Sequence, residues 1–205
     1  MGQGVNKNWW INTTDQNTSG KGISIGIGEG SSSKKFDLAF DTDADDWHYV
    51  AFTYNGSDLN VYLDGQLNGT LAASMDSIPH ELFFGKNPSD NLSHFDGQLD
   101  DVRIYSRQLS QTEIVRTMNA TVASNTTGLE GYWKLDEGLG FKIFDLTENQ
   151  KDGIMTGSVF SDDRPNVLNA GFTDESGYYL IDGINYGGGQ SFTARPNRIL
   201  NSIMP

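Results

Sequence analysis

The chain has 205 residues, 36% hydrophobic and 11% aromatic, which suits one jelly roll or two small domains with a sizeable core rather than a disordered segment. A formal charge of −13 at pH 7 argues against nucleic acid or an anionic membrane as a partner, since either needs clustered Lys and Arg to displace counterions. Cysteine is absent, which removes disulfides, thiolate metal sites and thiol catalysis together.

In chain order, the stretch "MGQGVNKNWWINTTD" has no hydrophobic signal core, and no later run approaches the ~20 apolar residues of a membrane helix. Membrane insertion is not expected, and an export signal is expected outside these residues. The adjacent pair Trp9-Trp10 must point to opposite faces if extended, leaving one ring exposed. Next come "GISIGIGEG", "KKFDLAFD", "WHYVAFTYN", "LNVYLDG", "QLNGTLAAS", "HELFFGK" and "QLDDVRIYS", short runs rich in β-branched and aromatic residues with Gly, Asn, Asp and Ser between them. They predict an all-β antiparallel two-sheet jelly-roll sandwich. Asp64-Gly65 sits between two of these runs as a hairpin turn, because both positions need positive φ. From Ser110 to Ala120 the pattern changes: Ser110 with Glu113 makes a capping box, and Ile114, Val115 and Met118 form one apolar stripe, so one short helix is expected. Seven Asn-X-Ser/Thr sequons, at Asn12, Asn17, Asn55, Asn68, Asn91, Asn119 and Asn125, are candidate glycan acceptors.

The segments "DDWHYVAFTYNGSDLNVYLDGQLNGT" and "FDGQLDDVRIYSRQLSQTEI" carry, in order, a Trp-His-x-Val-Ala strand, a Tyr-x-Asp-Gly hairpin and a Gly-x-x-Asp-Asp-x-Arg-Ile-Tyr strand with a Leu-Ser-x-x-Glu-Ile tail. On these motifs, residues 1 to 120 resemble the second half of a laminin-G-like jelly-roll domain of the concanavalin A-like lectin/glucanase superfamily. The usual opening of that family, Gly-x-x-x-Tyr-Trp-x-x-Asp-Glu-Gly with a Gly-rich Asp turn, is missing from the start and stands at residues 128 to 157, "GLEGYWKLDEGLGFKIFDLTENQKDGIMTG". Two compatible explanations stand: an array of repeats cut mid-repeat, or a fold completed by its own displaced opening strand. In the second, residues 106 to 127 tether Tyr132 to Leu135 back antiparallel to Val102 to Tyr105, filling a sheet edge that would otherwise carry free donors and acceptors. The expected organisation is therefore 1–127 as a sandwich lacking its first strands, 128–160 as the segment completing it, and 161–205 as linker and partial β-hairpin tail. Within the tail, "TDESGYYLIDGINYGGGQSFTARP" resembles the end of a carboxypeptidase-regulatory-like repeat, a hairpin too short to fold alone. Residues 158 to 172 read as linker, with Pro165 barring a central strand.

Glucanases of this superfamily carry Glu-x-Asp-x-x-Glu on one strand, where alternation aims the acids to one face; that spacing does not occur here, so no enzymatic activity is expected. "DTDADDWH" has Asp41, Asp43 and Asp45 alternating as a calcium loop begins, but Asp46 holds the required Gly position and Phe52 the bidentate Glu position, so a solvated acidic turn is expected. His48, His80 and His94 lack the spacing of metal ligands and are assigned structural or surface roles. Trp47 and Trp133 are expected to pack in the core. The resemblance implies a structural Ca²⁺ joining the displaced start to the closing strand, held by Asp136, Glu137 and Asp145 with Asp100 or Asp101; the alternative pairs these acids with Lys134 and Arg103 or with water. For ligand binding, the exposed member of Trp9-Trp10 with Asn87, Asp90 and Asn91 of "NPSDNLSH" would supply an aromatic platform beside hydrogen-bonding groups. The expectation is a non-catalytic adhesion or recognition module for a glycan or extracellular protein, part of a secreted or cell-surface chain with neighbouring repeats. A structural spacer is the alternative, and glycoside hydrolysis a remoter one.

Overall fold

A computed structural model describes residues 9–13, 22–29, 32–39, 47–75, 81–86, 94–95, 97–161, 170–181 and 191–197, the last two stretches through their backbone. Three strands form one sheet in the order β1-β2-β3: β1 (Trp9–Thr13), β2 (Gly22–Glu29) and β3 (Ser32–Ala39). Ten more form a second: β4 (Val50–Tyr54), β5 (Asp58–Leu63), β6 (Gln66–Ala72), β7 (Leu82–Phe84), β8 (Gly97–Tyr105), β9 (Leu129–Trp133), β10 (Lys142–Ile143), β11 (Gly153–Ser161), β12 (Ala170–Ile181) and β13 (Ser191–Asn197). Its order is β10-β11-β12-β8-β13-β4-β5-β6, with β7 beside β12 and β9 beside β8, and all these ladders are antiparallel. The predicted all-β sandwich is the fold.

Alternation decides which way each strand faces. Ile23, Ile25 and Ile27 of β2 turn inward to meet Val50, Phe52, Leu59, Val61, Val102 and Ile104 of the second sheet, and this apolar layer is the main core. A second layer lies on the opposite face of the larger sheet, where Tyr49, Ala51, Tyr62, Tyr105 and Tyr132 are covered by Leu109 and Ile114. Ile114 belongs to α1 (Gln111–Thr117), which begins with the predicted capping box: the Ser110 hydroxyl accepts from the Glu113 N–H while the Glu113 carboxylate accepts from the Ser110 N–H. Between β5 and β6, Asp64 (φ 50°) and Gly65 (φ 78°) form the predicted tight turn. Asp64 does more there, accepting from the Tyr49 N–H at 2.8 Å and facing His48 Nδ1 at 2.9 Å, so His48 has a structural partner. Burial alone would push the Asp64 carboxyl up, but those two bonds outweigh it and hold it below the usual range. Trp133 is fully buried, edge-on to Phe84 at 5.7 Å; Trp47 is only half-buried, a departure from the core role read for it.

The displaced segment returns to β8. Val102 pairs with Trp133, Arg103 with Tyr132, Ile104 with Gly131 and Tyr105 with Leu129, so the pairing strand is 129–133, three residues earlier than the predicted start at Tyr132. It ends where Leu135 takes φ 61°, a conformation that breaks the ladder. The tail departs from the hairpin read in the sequence. Along β8, residues 98–105 pair with β13 on one edge while β12 and β9 take successive lengths of the other. The two tail strands are therefore partners of the sandwich rather than of each other, and β11 runs to Ser161, inside the stretch read as linker. The reason is the same edge chemistry that draws in β9: backbone donors and acceptors on an open strand are satisfied by whichever extended segment reaches them.

Candidate functional site

The outward face of the three-stranded sheet gathers an aromatic ring and polar groups. In β1 the inward residues are Trp9 and Ile11, and Trp9 packs edge-on against Phe52 with ring centroids 5.2 Å apart. Trp10 therefore takes the other face. It pairs across to Gly26, and a Cβ placed on Gly26 would meet Trp10 Cζ2 at 2.1 Å, so the indole occupies space that only a glycine leaves open. Trp10 is half-buried and Asn12, two residues on, is exposed. Across β2 the same rows continue, with Gly26 opposite Lys35 and Ser24 opposite Asp37. The Ser24 hydroxyl donates to the Asp37 carboxylate, and Lys35 Nζ lies 3.1 Å from Asp37 Oδ2. The Ser24 hydrogen bond, followed by Lys35, holds the Asp37 carboxyl below its ordinary range. Lys35 and Asp37 remain in water, with side-chain exposures of 60% and 51%.

Thus the two rings part as alternation requires: Trp10 lies half-buried on the outward face, while Trp9, also half-buried, packs against the core. Asn87, Asp90 and Asn91 lie outside the described residues, as do Asp41, Asp43, Asp45 and His80. Sequence reasoning named Asn12 only as a candidate glycan acceptor and missed Ser24, Lys35 and Asp37. The signal was present in "GISIGIG", where small residues alternate with Ile and mark a face on which a neighbour's side chain lies close.

Four of the five acids expected around a calcium ion have separate partners. Asp145 accepts from the Tyr132 N–H, the Thr147 N–H and the Lys151 N–H, each at 3.0 Å, and from the Thr147 hydroxyl at 2.8 Å. Its two oxygens are already spent on chain donors. Asp136 lies 3.6 Å from Lys134, and Glu137 accepts from the Phe144 N–H at 2.8 Å, with burial pushing its carboxyl up. Asp100 and Asp101 are both fully buried. Asp101, at φ 57°, contacts Arg103 at 2.6 Å. Among the described residues no group of three or more His, Cys, Asp or Glu is arranged to hold a metal ion. These side chains do not fit a shared calcium site, and Asp145 instead fastens the turn that follows β9.

Arg103 was named only as a possible partner for these acids, and it is the centre of a buried knot. Its guanidinium, 0% exposed, donates to Asp101, to the Thr117 carbonyl at 2.8 Å and to the Ala120 carbonyl at 2.7 Å, and stacks 4.9 Å above the Tyr132 ring. Burial would lower its pKa, but Asp101 outweighs that and raises it. One cation thus ties β8, the end of α1 and β9 together. The Asp-x-Arg spacing, which sets both side chains on one strand face, was the available signal.

Among the described residues no helix is long and apolar enough to cross a membrane. The laminin G family model of the concanavalin A-like lectin/glucanases superfamily matches residues 2–115, more than half of the 205 residues. The match includes β1 to β8 and the Trp10 face and ends inside α1; the tail's likeness to a carboxypeptidase-regulatory-like repeat has no counterpart in it. No curated protein matches the chain.

Proposed function

We infer, for a chain that belongs to the concanavalin A-like lectin/glucanases superfamily, a non-catalytic recognition module that binds a carbohydrate or protein ligand for adhesion by a secreted or cell-surface protein. The family supports binding of a carbohydrate or protein in general. The observation that carries the finer reading is Trp10 laid over Gly26 and bordered by Asn12, Lys35 and Asp37. An indole offers apolar surface to the C–H face of a sugar or to a partner's side chain, and the polar neighbours supply orientation. Absence of the Glu-x-Asp-x-x-Glu strand supports the non-catalytic part, because retaining hydrolysis needs two carboxyls about 5 Å apart on one face. The test is a broad glycan array together with a panel of extracellular matrix proteins, read alongside Trp fluorescence. Binding that weakens in Trp10→Ala, without release of reducing sugar, is the expected result. No binding to either panel would leave a spacer without a ligand of its own.

A further inference from the structure

We propose that Asn55 is a site of spontaneous covalent modification: the Gly56 backbone nitrogen attacks the Asn55 side-chain amide, ammonia leaves, and an aspartate or isoaspartate remains at the tip of the β4–β5 turn. The chain holds two Asn-Gly pairs, Asn55-Gly56 and Asn68-Gly69, and the fold treats them differently.

The β4–β5 ladder closes at Tyr54 and Leu59, so residues 55 to 58 lie outside it. There the Asn55 side chain is exposed, and its Oδ1 accepts from the Ser57 N–H at 2.8 Å and the Asp58 N–H at 2.7 Å, with the Ser57 hydroxyl 3.0 Å away. Gly56 takes φ 102°, a conformation that favours glycine, and nothing occupies the space where a Cβ would stand, so no side chain obstructs ring closure. The Tyr54 hydroxyl donates to the Gly56 carbonyl at 2.7 Å and fixes the peptide that follows. Gly69 is placed otherwise. It pairs with Val61 inside the β5–β6 ladder, and a Cβ on it would meet Phe36 Cε2 at 2.3 Å, so an aromatic ring covers it. Closing a ring at Asn68 would pull β6 from its partner and leave backbone groups unpaired.

The chemistry needs only water. A solvent base takes the Gly56 N–H proton, the nitrogen bonds to Asn55 Cγ, and the carbonyl electron pair moves onto Oδ1. That developing oxyanion forms where two backbone N–H groups already point, with the Ser57 hydroxyl free to turn from Asp58 Oδ2 towards it. The Cγ–Nδ2 bond then breaks, and Nδ2 takes a proton from water and departs as ammonia. It leaves from beside Asp58 Oδ2, 3.3 Å away, and a carboxylate favours the protonated, departing form of the nitrogen. Water opens the cyclic imide at either carbonyl, giving aspartate with the original backbone or isoaspartate with the chain routed through the side chain. One water is consumed, one ammonia is released, and nothing is oxidised or reduced. The donors that stabilise the oxyanion also suit the aspartate product, since a carboxylate accepts from all three.

The experiment incubates the whole chain at neutral and mildly alkaline pH and follows each Asn-Gly peptide by mass spectrometry, with isoaspartyl methyltransferase labelling to count the isoaspartate. The folded chain should gain the amide-to-acid mass at Asn55 at least about tenfold faster than at Asn68, and faster in alkali because the Gly56 proton must come off. In urea, where the ladder and the Phe36 cover are gone, Asn68 should catch up with Asn55. Ser57→Ala, an exposed change checked by a thermal melt, should slow Asn55 about fivefold by removing one donor to the oxyanion. Equal rates at the two sites in the folded chain would overturn the assignment. So would a faster reaction in Ser57→Ala, which would mean that these hydrogen bonds protect the amide instead of activating it. The outcome is independent of ligand binding, so it stands or falls apart from the recognition reading.

Discussion

The Arg103 knot and the Trp10 face are built from the same three kinds of side chain, an aromatic ring, a carboxylate and a cation, in opposite surroundings. In the knot the Arg103 and Asp101 side chains are 0% and 1% exposed, and the guanidinium reaches a carboxylate, two carbonyls and a ring. On the face Lys35 and Asp37 keep more than half of their side-chain surface in water. A charge withdrawn from water must be answered by the chain, and removing its partner is costly; a pair left in water contributes ~0–1 kcal/mol and can exchange its waters for a ligand. Residue type alone does not separate a structural tie from a binding surface. Burial does.

The hardest test of this contrast is Arg103→Met. It leaves Asp101 buried without its counterion, so chemical denaturation should show a loss of about 3–5 kcal/mol, and Asp101→Asn in the same chain, which removes the charge and tolerates the left-handed backbone there, should restore part of it. A loss below about 1 kcal/mol would mean that the knot is no more structural than the exposed pair. Lys35→Ala, by comparison, should cost no more than about 1 kcal/mol.

Asp145→Asn comes next. The amide keeps one acceptor oxygen where the carboxylate had two, stranding donors among Tyr132, Thr147 and Lys151, and about 2–3 kcal/mol should be lost in the same denaturation assay. Since those oxygens are already used, calcium and chelator should give the same melting midpoint in the parent chain. A calcium-dependent rise would show that the acids near β9 act as ligands after all and would move that region to the functional side of the comparison.

Smaller effects belong to α1, the cover over the knot. Ser110→Ala removes one half of the capping box and should cost about 1 kcal/mol by thermal or chemical melting. The Glu113 carboxyl is brought down to about 2, first by the Arg107 hydrogen bond and then by the Ser110 N–H. Its folded pKa is thus below the unfolded one, near 4.3. That contribution is fully present above the unfolded value and is lost as pH falls from there towards about 2. Because the carboxylate is still partly open to water, with 28% of its side-chain surface exposed, the change is modest; comparing parent and Glu113→Gln across that window should show the acid-side decline flattened in the variant.

Much of the architecture was legible in the sequence because it rests on local chemistry. Alternating Ile with small residues placed β2, Asp64-Gly65 placed the β5–β6 turn, and Ser110 with Glu113 placed the start of α1. The three ordered motifs led to the family, and the Gly-x-x-x-Tyr-Trp stretch led to a strand beside Val102 to Tyr105. Adjacent Trp residues on one strand guaranteed that one ring would leave the core. Which ring it was, and what it would lie beside, depended on the registers of β1 with β2 and β2 with β3, since a shift of one residue would exchange Trp9 for Trp10 and turn Asp37 inward. Only tertiary structure decided that Asp101 answers Arg103, that Asp145 spends its oxygens on the backbone of its own turn, and that the tail strands enter the sheet on either edge of β8. Those outcomes turn on competition among partners far apart in the chain: a carboxylate or an open strand edge takes the donor that folding brings nearest, and spacing along the chain does not record which donor that is.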